Sequence, residues 1–381
     1  MEAYLDNAAT TKVCPEAAEA AITVMTEGYG NPSSTHTFGR AAAKQLEAAR
    51  QQVAKSIGGG SNEIFFTSGG TESINWALLS GASLNKRHGG HIISSMAEHS
   101  AGLLSLDELE KRGFSVTRLK PERNGSISVE AVASALREDT ILVSLMLVNN
   151  ETGAITDIPA IAKLLKSSGS RALFHCDAVQ GFQKIPFTAE SLGAELISIS
   201  GHKIHAPKGI GALYIRGGEK KLRLPPLLHG GMQEGGRRAG TQALSSIAAF
   251  GIAAEIGKAS LEKNIQAMQE LKTHITTRLT AEISNIQILS GEAPHIISLS
   301  LPYYKSEVLM NYLESRGVYV SKSSACKKGG RSYVLEAAGH APAVIDGALR
   351  IGLSRYTSHD EAELFCTVLK EASESLYPSL H

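Results

Sequence analysis

Between about residues 60 and 215 the chain alternates short, almost wholly apolar runs with stretches of helical periodicity. The runs are Glu63-Ile64-Phe65-Phe66, His91-Ile92-Ile93-Ser94, Thr140-Ile141-Leu142-Val143-Ser144-Leu145-Met146, Ala172-Leu173-Phe174-His175-Cys176-Asp177, Ala194-Glu195-Leu196-Ile197-Ser198-Ile199 and Gly211-Ala212-Leu213-Tyr214-Ile215. Strands that lack polar alternation belong to parallel sheets covered by helices on both faces. The pattern then predicts one long helix over about 243–282. Beyond it the rhythm changes, with strands at His295–Leu301, Val318–Ser321 and Leu349–Leu353 between helices at about 306–316 and 359–376. Ser358-His359-Asp360-Glu361 has the spacing of a capping box that opens the last helix. The expected fold is α/β: a large doubly wound domain with a mostly parallel sheet over 15–255, and a smaller α/β domain made of 1–14 and 256–381.

Composition narrows the class without naming it. The chain has 381 residues, 43% of them hydrophobic, which is material for two or three domains. Its 38 basic and 37 acidic residues nearly cancel, so no global attraction to nucleic acid or to an anionic membrane is expected. No stretch approaches the ~20 apolar residues of a membrane helix. Met1-Glu2-Ala3-Tyr4-Leu5-Asp6 resembles no signal peptide, and a cytoplasmic location is expected. The four cysteines, Cys14, Cys176, Cys326 and Cys366, are far apart with no CxxC, which suits a reducing compartment. The histidines show no HExxH or similar spacing, and no metal is expected.

Candidate chemistry gathers where apolar runs end. In an open α/β sheet, ligands bind outside the carboxyl ends of the strands. Two such ends carry Asp177 and Ser200-Gly201-His202-Lys203. A lysine able to form a Schiff base, and an acid able to keep a pyridine nitrogen protonated, are the pair that pyridoxal phosphate requires. Thr67-Ser68-Gly69-Gly70-Thr71-Glu72-Ser73 lies between a strand and an apolar helix, where glycines and free N–H groups admit an anion. It lacks the GxGxxG and GK[ST] spacings and, taken alone, reads sooner as an ordinary strand-to-helix turn with a serine cap; beside Asp177 and Lys203 the anion site is the better reading. His99 also follows a strand and could stack on a ring or carry protons; a hydrogen-bonded core histidine is the plainer reading. Gln180 and Asn150 could bond a ring oxygen or a substrate, or simply cap loops.

Cys326 stands apart from the other cysteines. Its segment, Ser321-Lys322-Ser323-Ser324-Ala325-Cys326-Lys327-Lys328-Gly329-Gly330-Arg331, is polar, small and basic. Nearby lysines favour the thiolate, the form that attacks sulfur. Cys176 and Cys366 read as packing residues, and Cys14 reads as exposed near the N-terminus.

In this order and spacing, a series of motifs makes the chain resemble the cysteine desulfurases of the NifS/IscS kind. These belong to the class V, fold-type I pyridoxal phosphate enzymes. The motifs are Tyr4-Leu5-Asp6-Asn7-Ala8-Ala9-Thr10-Thr11, Gly30-Asn31-Pro32-Ser33-Ser34, Ser68-Gly69-Gly70-Thr71-Glu72-Ser73, Asn149-Asn150-Glu151, Asp177-Ala178-Val179-Gln180, Ser200-Gly201-His202-Lys203, Pro207-Lys208-Gly209-Ile210-Gly211-Ala212-Leu213-Tyr214, Ser324-Ala325-Cys326 and Ser354-Arg355-Tyr356-Thr357. The resemblance implies that Lys203 carries the cofactor, Asp177 pairs with its ring nitrogen, Gln180 bonds its ring oxygen and His99 stacks on it. It implies that Gly70, Thr71, Ser200 and His202 hold the phosphate, joined by Thr241 of the partner subunit in a homodimer. Asn150 contacts cofactor and substrate, Asn31 and Arg355 meet the substrate, and Arg355 takes its carboxylate. The implied reaction converts L-cysteine to alanine with a persulfide on Cys326. The sulfur then passes to an acceptor protein, such as a scaffold for iron–sulfur cluster assembly, or into tRNA thiolation. Two departures are visible. Gln233-Glu234 is followed by Gly235-Gly236-Arg237 where the family commonly has an arginine at once, and the segment after Cys326 is short. Selenocysteine lyase, a class V aminotransferase and a non-catalytic scaffold dimer stay open as alternatives, although an aminotransferase has no use for Cys326.

Overall fold

The computed structural model describes residues 1–322 and 330–377. In chain order its strands are β1 (Ala3–Tyr4), β2 (Ile64–Thr67), β3 (His91–Ser95), β4 (Ser115–Leu119), β5 (Thr140–Met146), β6 (Leu173–Asp177), β7 (Leu196–Ser200), β8 (Gly211–Ile215), β9 (Gln287–Ile288), β10 (Ile296–Ser300), β11 (Val318–Tyr319), β12 (Ser321–Lys322) and β13 (Ala348–Gly352). Seven of them form one sheet in the order β2-β8-β7-β6-β5-β3-β4. All neighbours are parallel except at β8, which runs against both β7 and β2.

Side chains alternate along a strand, so a strand apolar at every position must be covered on both faces. Ile93, Val143, Phe174 and Ile197 enter one core with Val53, Ile161 and Phe250 from three helices. Their neighbours Ile92, Leu142, Leu173 and Leu196 enter a second core with Trp76, Leu78 and Leu106. The strand β4 is half-buried and polar at Thr117 and Arg118, so a search for apolar runs passes over it. Gly211 shows why β8 begins as it does. A Cβ there would lie 2.7 Å from both Gly69 Cα and Ile199 O, so only glycine lets the turn after β2 pack against this strand.

A second, four-stranded antiparallel sheet, β12-β13-β10-β9, packs its inner face on Met268, Ile275, Leu309 and Phe365. Ala3 and Leu5 join this core from the N-terminus, and β1 pairs with β11. The single long helix expected over 243–282 is two helices, Leu244–Ala259 and Leu261–Glu282, bent by 74°. Ser260 leaves helical geometry there and turns its hydroxyl back to Ile256 O. The bend keeps Ile247 and Phe250 on the large sheet and sends Met268 and Ile275 to the small one. The strand expected over Val318–Ser321 is likewise divided. β11 pairs with β1, and β12 pairs with β13. Cys14, read as exposed, is buried at the N-cap of the helix Pro15–Thr26. No single described helix is long and apolar enough to cross a membrane.

Glu234 sits at φ +47° in a tight loop, with its carboxylate buried. It accepts two bonds from Arg50, at 2.6 and 2.8 Å, and one from the Phe66 amide at 2.9 Å. It therefore pins the loop to the start of the large sheet. Glu234→Gln keeps the shape but strands the Arg50 charge. Because Arg50 retains some solvent, the expected loss is about 2–3 kcal/mol, below the usual figure for a fully buried pair. An unchanged urea midpoint would show that the ion pair does not hold this loop.

Candidate active site

The carboxyl ends of β2, β3, β5, β6 and β7 all meet one edge of the sheet. That edge opens on a cavity of about 360 Å³. Gly70 and Thr71 follow β2, His99 follows β3, Asn150 follows β5, Asp177 ends β6 with Gln180 just after it, and Ser200 ends β7 with His202 and Lys203 just after it. All nine line the cavity. Asp177 and Lys203 converge because β6 and β7 are adjacent and parallel, with Asp177 beside Ser198.

Hydrogen bonds fix several of these groups. Lys203 Nζ donates to Ala8 O and Ala9 O, each at 2.6 Å, which ties the N-terminal segment over the site. Asp177 Oδ1 accepts from the Val179 amide at 3.0 Å. His99 Nδ1 accepts from the Ala101 amide, so the neutral ring carries its proton on Nε2. Gln180 Nε2 donates to Ala8 O, and its Oε1 meets His295 Nε2. His202 Nδ1 faces Thr10 Oγ1 at 3.3 Å.

Burial sets the charges. It raises the Asp177 carboxyl to about 6, against the opposing pull of the Val179 amide and Lys203. Burial, then Lys203, lowers His99, and burial with Lys203 and Lys208 lowers His202 to about 4. Both rings are neutral at pH 7. Such a site suits a cofactor with a cationic ring nitrogen and an anionic arm. A cation over Asp177 would restore its carboxylate. Among the described residues, Asn150 Oδ1 and Ser200 Oγ are buried polar atoms with no hydrogen-bond partner, as expected of groups that receive a ligand. The cavity also falls within the range of small-molecule sites. The residues present therefore fit pyridoxal phosphate.

Three further assigned residues lie elsewhere. Asn31 is exposed and its side chain accepts from the Ser33 amide. Thr241 is exposed and does not line the cavity. Arg355 does not line it either. Its Nε and Nη2 are buried with no hydrogen-bond partner among the described residues, beside a separate small void lined by Lys184 and His205. Cys326 lies outside the described residues.

The structure adds residues that the motifs do not single out. Arg350 lines the cavity from β13, donating to Asn150 O at 2.9 Å and meeting Asp6 Oδ1 at 3.2 Å. Tyr333 lines it too, and its hydroxyl donates to Glu98 O. Glu98 is fully buried; burial, then the charge of Asp177, raises it to about 8. Glu151 is raised to about 7 by burial and accepts from Ser332 Oγ. In the loop after Gln233-Glu234, Arg237 donates to Leu224 O, whereas Arg238 pairs with Glu72 at 2.8 Å, next to the turn that follows β2.

A model of the aminotransferase class-V family matches residues 3–365. The cysteine desulfurase IscS of Dictyoglomus turgidum is 40% identical over 380 residues, which covers 98% of this chain and 95% of that protein. The cysteine desulfurase IscS of Methanosarcina thermophila is 38% identical over 387 residues, covering 98% and 92%. A solved NifS-like protein superposes with a TM-score of 0.92 at 36% identity, covering 99% of this chain and all of the other. The chain belongs to the class-V aminotransferases, and within them to the cysteine desulfurases of the NifS/IscS kind.

Proposed function

We propose that this protein is a pyridoxal phosphate-dependent cysteine desulfurase that takes sulfur from L-cysteine and releases L-alanine. The observation that carries the reading is the meeting of Lys203, Asp177, His99 and a Ser200 hydroxyl with no hydrogen-bond partner among the described residues, in one cavity at the carboxyl edge of the sheet. Pyridoxal phosphate, when bound, supplies an electron sink for the carbanion at the substrate α-carbon. Lys203 holds the cofactor, and its Nζ takes and returns the proton at that carbon. Asp177 keeps the ring nitrogen charged, Gln180 bonds the ring oxygen and His99 stacks on the ring. Gly70, Thr71, Ser200 and His202 receive the phosphate, with Thr241 of the partner subunit. Asn31, Asn150 and Arg355 bind the substrate; Arg355 takes its carboxylate through the paired donors of its guanidinium. The Cys326 thiolate takes the sulfur as the carbon–sulfur bond breaks.

In this reading residues 15–255 hold the cofactor, while 1–14 and 256–381 form the unit that carries Cys326. A homodimer in the cytoplasm passes the persulfide sulfur to an acceptor protein for iron–sulfur cluster assembly or tRNA thiolation, without itself contacting nucleic acid.

With L-cysteine, the purified holoenzyme is expected to release alanine on every turnover, and free sulfide mainly when a reductant is present. Cys326→Ser is expected to keep the cofactor and lose sulfur release by ~10³-fold or more, a conservative scale for a missing nucleophile. A Cys326→Ser enzyme close to wild-type rates would mean that another group accepts the sulfur.

A further inference from the structure

The last helix, His359–Ser375, packs along Leu261–Glu282, and charged pairs cross between them. Arg278 Nη1 holds Glu363 Oε2 at 2.7 Å, and Lys370 faces Glu282 at 3.5 Å. At the start of the last helix the character of the seam changes. The His274 and His359 rings lie with centroids 4.6 Å apart, and His274 Nε2 contacts Glu363 Oε1. One ligand atom from each of these three side chains lies within 4.8 Å of the other two.

We propose that His274, His359 and Glu363 form a binding site for a divalent cation of the Zn²⁺ class. Two imidazoles and one carboxylate make a donor set that suits zinc, whereas calcium and magnesium prefer oxygen throughout. The spacing is built into the fold. His359 and Glu363 are four apart on one helix and share a face, and the neighbouring helix supplies His274. The two carboxylate oxygens of Glu363 divide their work. Arg278 grips Oε2 and orients the group, as outer partners of metal ligands do, while Oε1 is presented to the histidines. The cation takes the place of the hydrogen bond between His274 Nε2 and Glu363 Oε1. The His274–Glu363 contact involves only two residues, and His359 brings a third donor beside them. The side chains of His274 and Glu363 are 34% and 40% exposed, so water can reach the remaining coordination positions. None of the three residues lines the large cavity. The cation would clamp the helix that follows the Arg355 loop onto Leu261–Glu282. No histidine motif announces the site, because two of its ligands stand far apart in the chain.

Zn²⁺ binding to the holoenzyme tests this, measured by calorimetry and equilibrium dialysis in the Cys326→Ser background, which removes a competing thiol. One Zn²⁺ per chain is expected. His274→Ala and His359→Ala should each weaken it by ~100-fold or more, at least the scale reported for disturbed metal sites. Co²⁺ bound in its place should show no thiolate charge-transfer band. Saturating Zn²⁺ should raise the Tm by on the order of 3 °C, an effect lost in His359→Ala. With Cys326 intact, His359→Ala should leave desulfurase activity unchanged. No binding at a hundredfold excess of Zn²⁺ would overturn the proposal. Undiminished binding by His359→Ala, a substitution at an exposed position, would overturn it equally.

Discussion

Lys203→Ala is expected to lower alanine formation from L-cysteine by ~10³-fold or more. Removal of a positioned acid–base group alone costs about 10²–10⁴, and here the covalent anchor of the cofactor is lost with it. The fold should survive. Lys203 Nζ donates to two backbone carbonyls, Ala8 O and Ala9 O, at the wall of a cavity that water can enter. The stability cost should therefore stay near ~1 kcal/mol. Lys203→Arg should not rescue activity, because a guanidinium keeps its charge and is no nucleophile. The structure also names a competitor. Lys184 is buried close enough to feel the charges of Arg355 and Lys203, and burial, then those charges, lowers it to about 7. Yet it lines the neighbouring small void and not the large cavity. Borohydride reduction and peptide mapping of the wild-type holoenzyme should therefore mark Lys203 and leave Lys184 clean. A label on Lys184, or a Lys203→Ala enzyme within tenfold of wild type, would sink the assignment.

The parts of the site that could be read from the chain are those at the ends of apolar runs. Asp177 closes one strand and Lys203 lies in the turn that follows the next, and the parallel sheet then brings such ends to one edge. Arg350 could not be read that way. It lies within β13, opposite Ser298 and Ser321, and nothing local shows that the small sheet presents it to Asn150 across the cavity. Glu98 and Glu151 are hidden for a related reason. A glutamate in a loop is ordinary, and only the burial that raises them sets these two apart. The 74° bend at Ser260 was equally silent, since a serine fits the helical pattern on both sides. Arg355 shows the reverse case. Its motif is legible, but the direction of its side chain depends on packing against Tyr356 and the Lys184 void.

Asp177→Asn should separate stability from catalysis. In the cofactor-free protein the Asp177 carboxyl is raised from 3.8 to about 6, chiefly by burial. The sign follows from linkage. A folded value above the unfolded one means that the native state binds the proton more tightly. The associated stability is complete below pH ~4 and is lost as pH rises through about 6. A shift of about two units corresponds to roughly 3 kcal/mol lost by pH 8. Asparagine carries no such charge, and its carbonyl can still accept from the Val179 amide. Cofactor-free Asp177→Asn should therefore unfold at a higher temperature than cofactor-free wild type at pH 8, and at nearly the same temperature at pH 4. Glu98 should follow, because the charge of Asp177 is one cause of its raised value, and a neutral neighbour should ease its ionisation. With the cofactor bound the order should reverse. Asp177 then faces a cation, and the variant loses that pairing along with most of its turnover. A wild-type protein as stable as the variant at pH 8 without cofactor would show that water relieves the buried carboxylate. Near-normal alanine production by Asp177→Asn would remove Asp177 from the ring nitrogen.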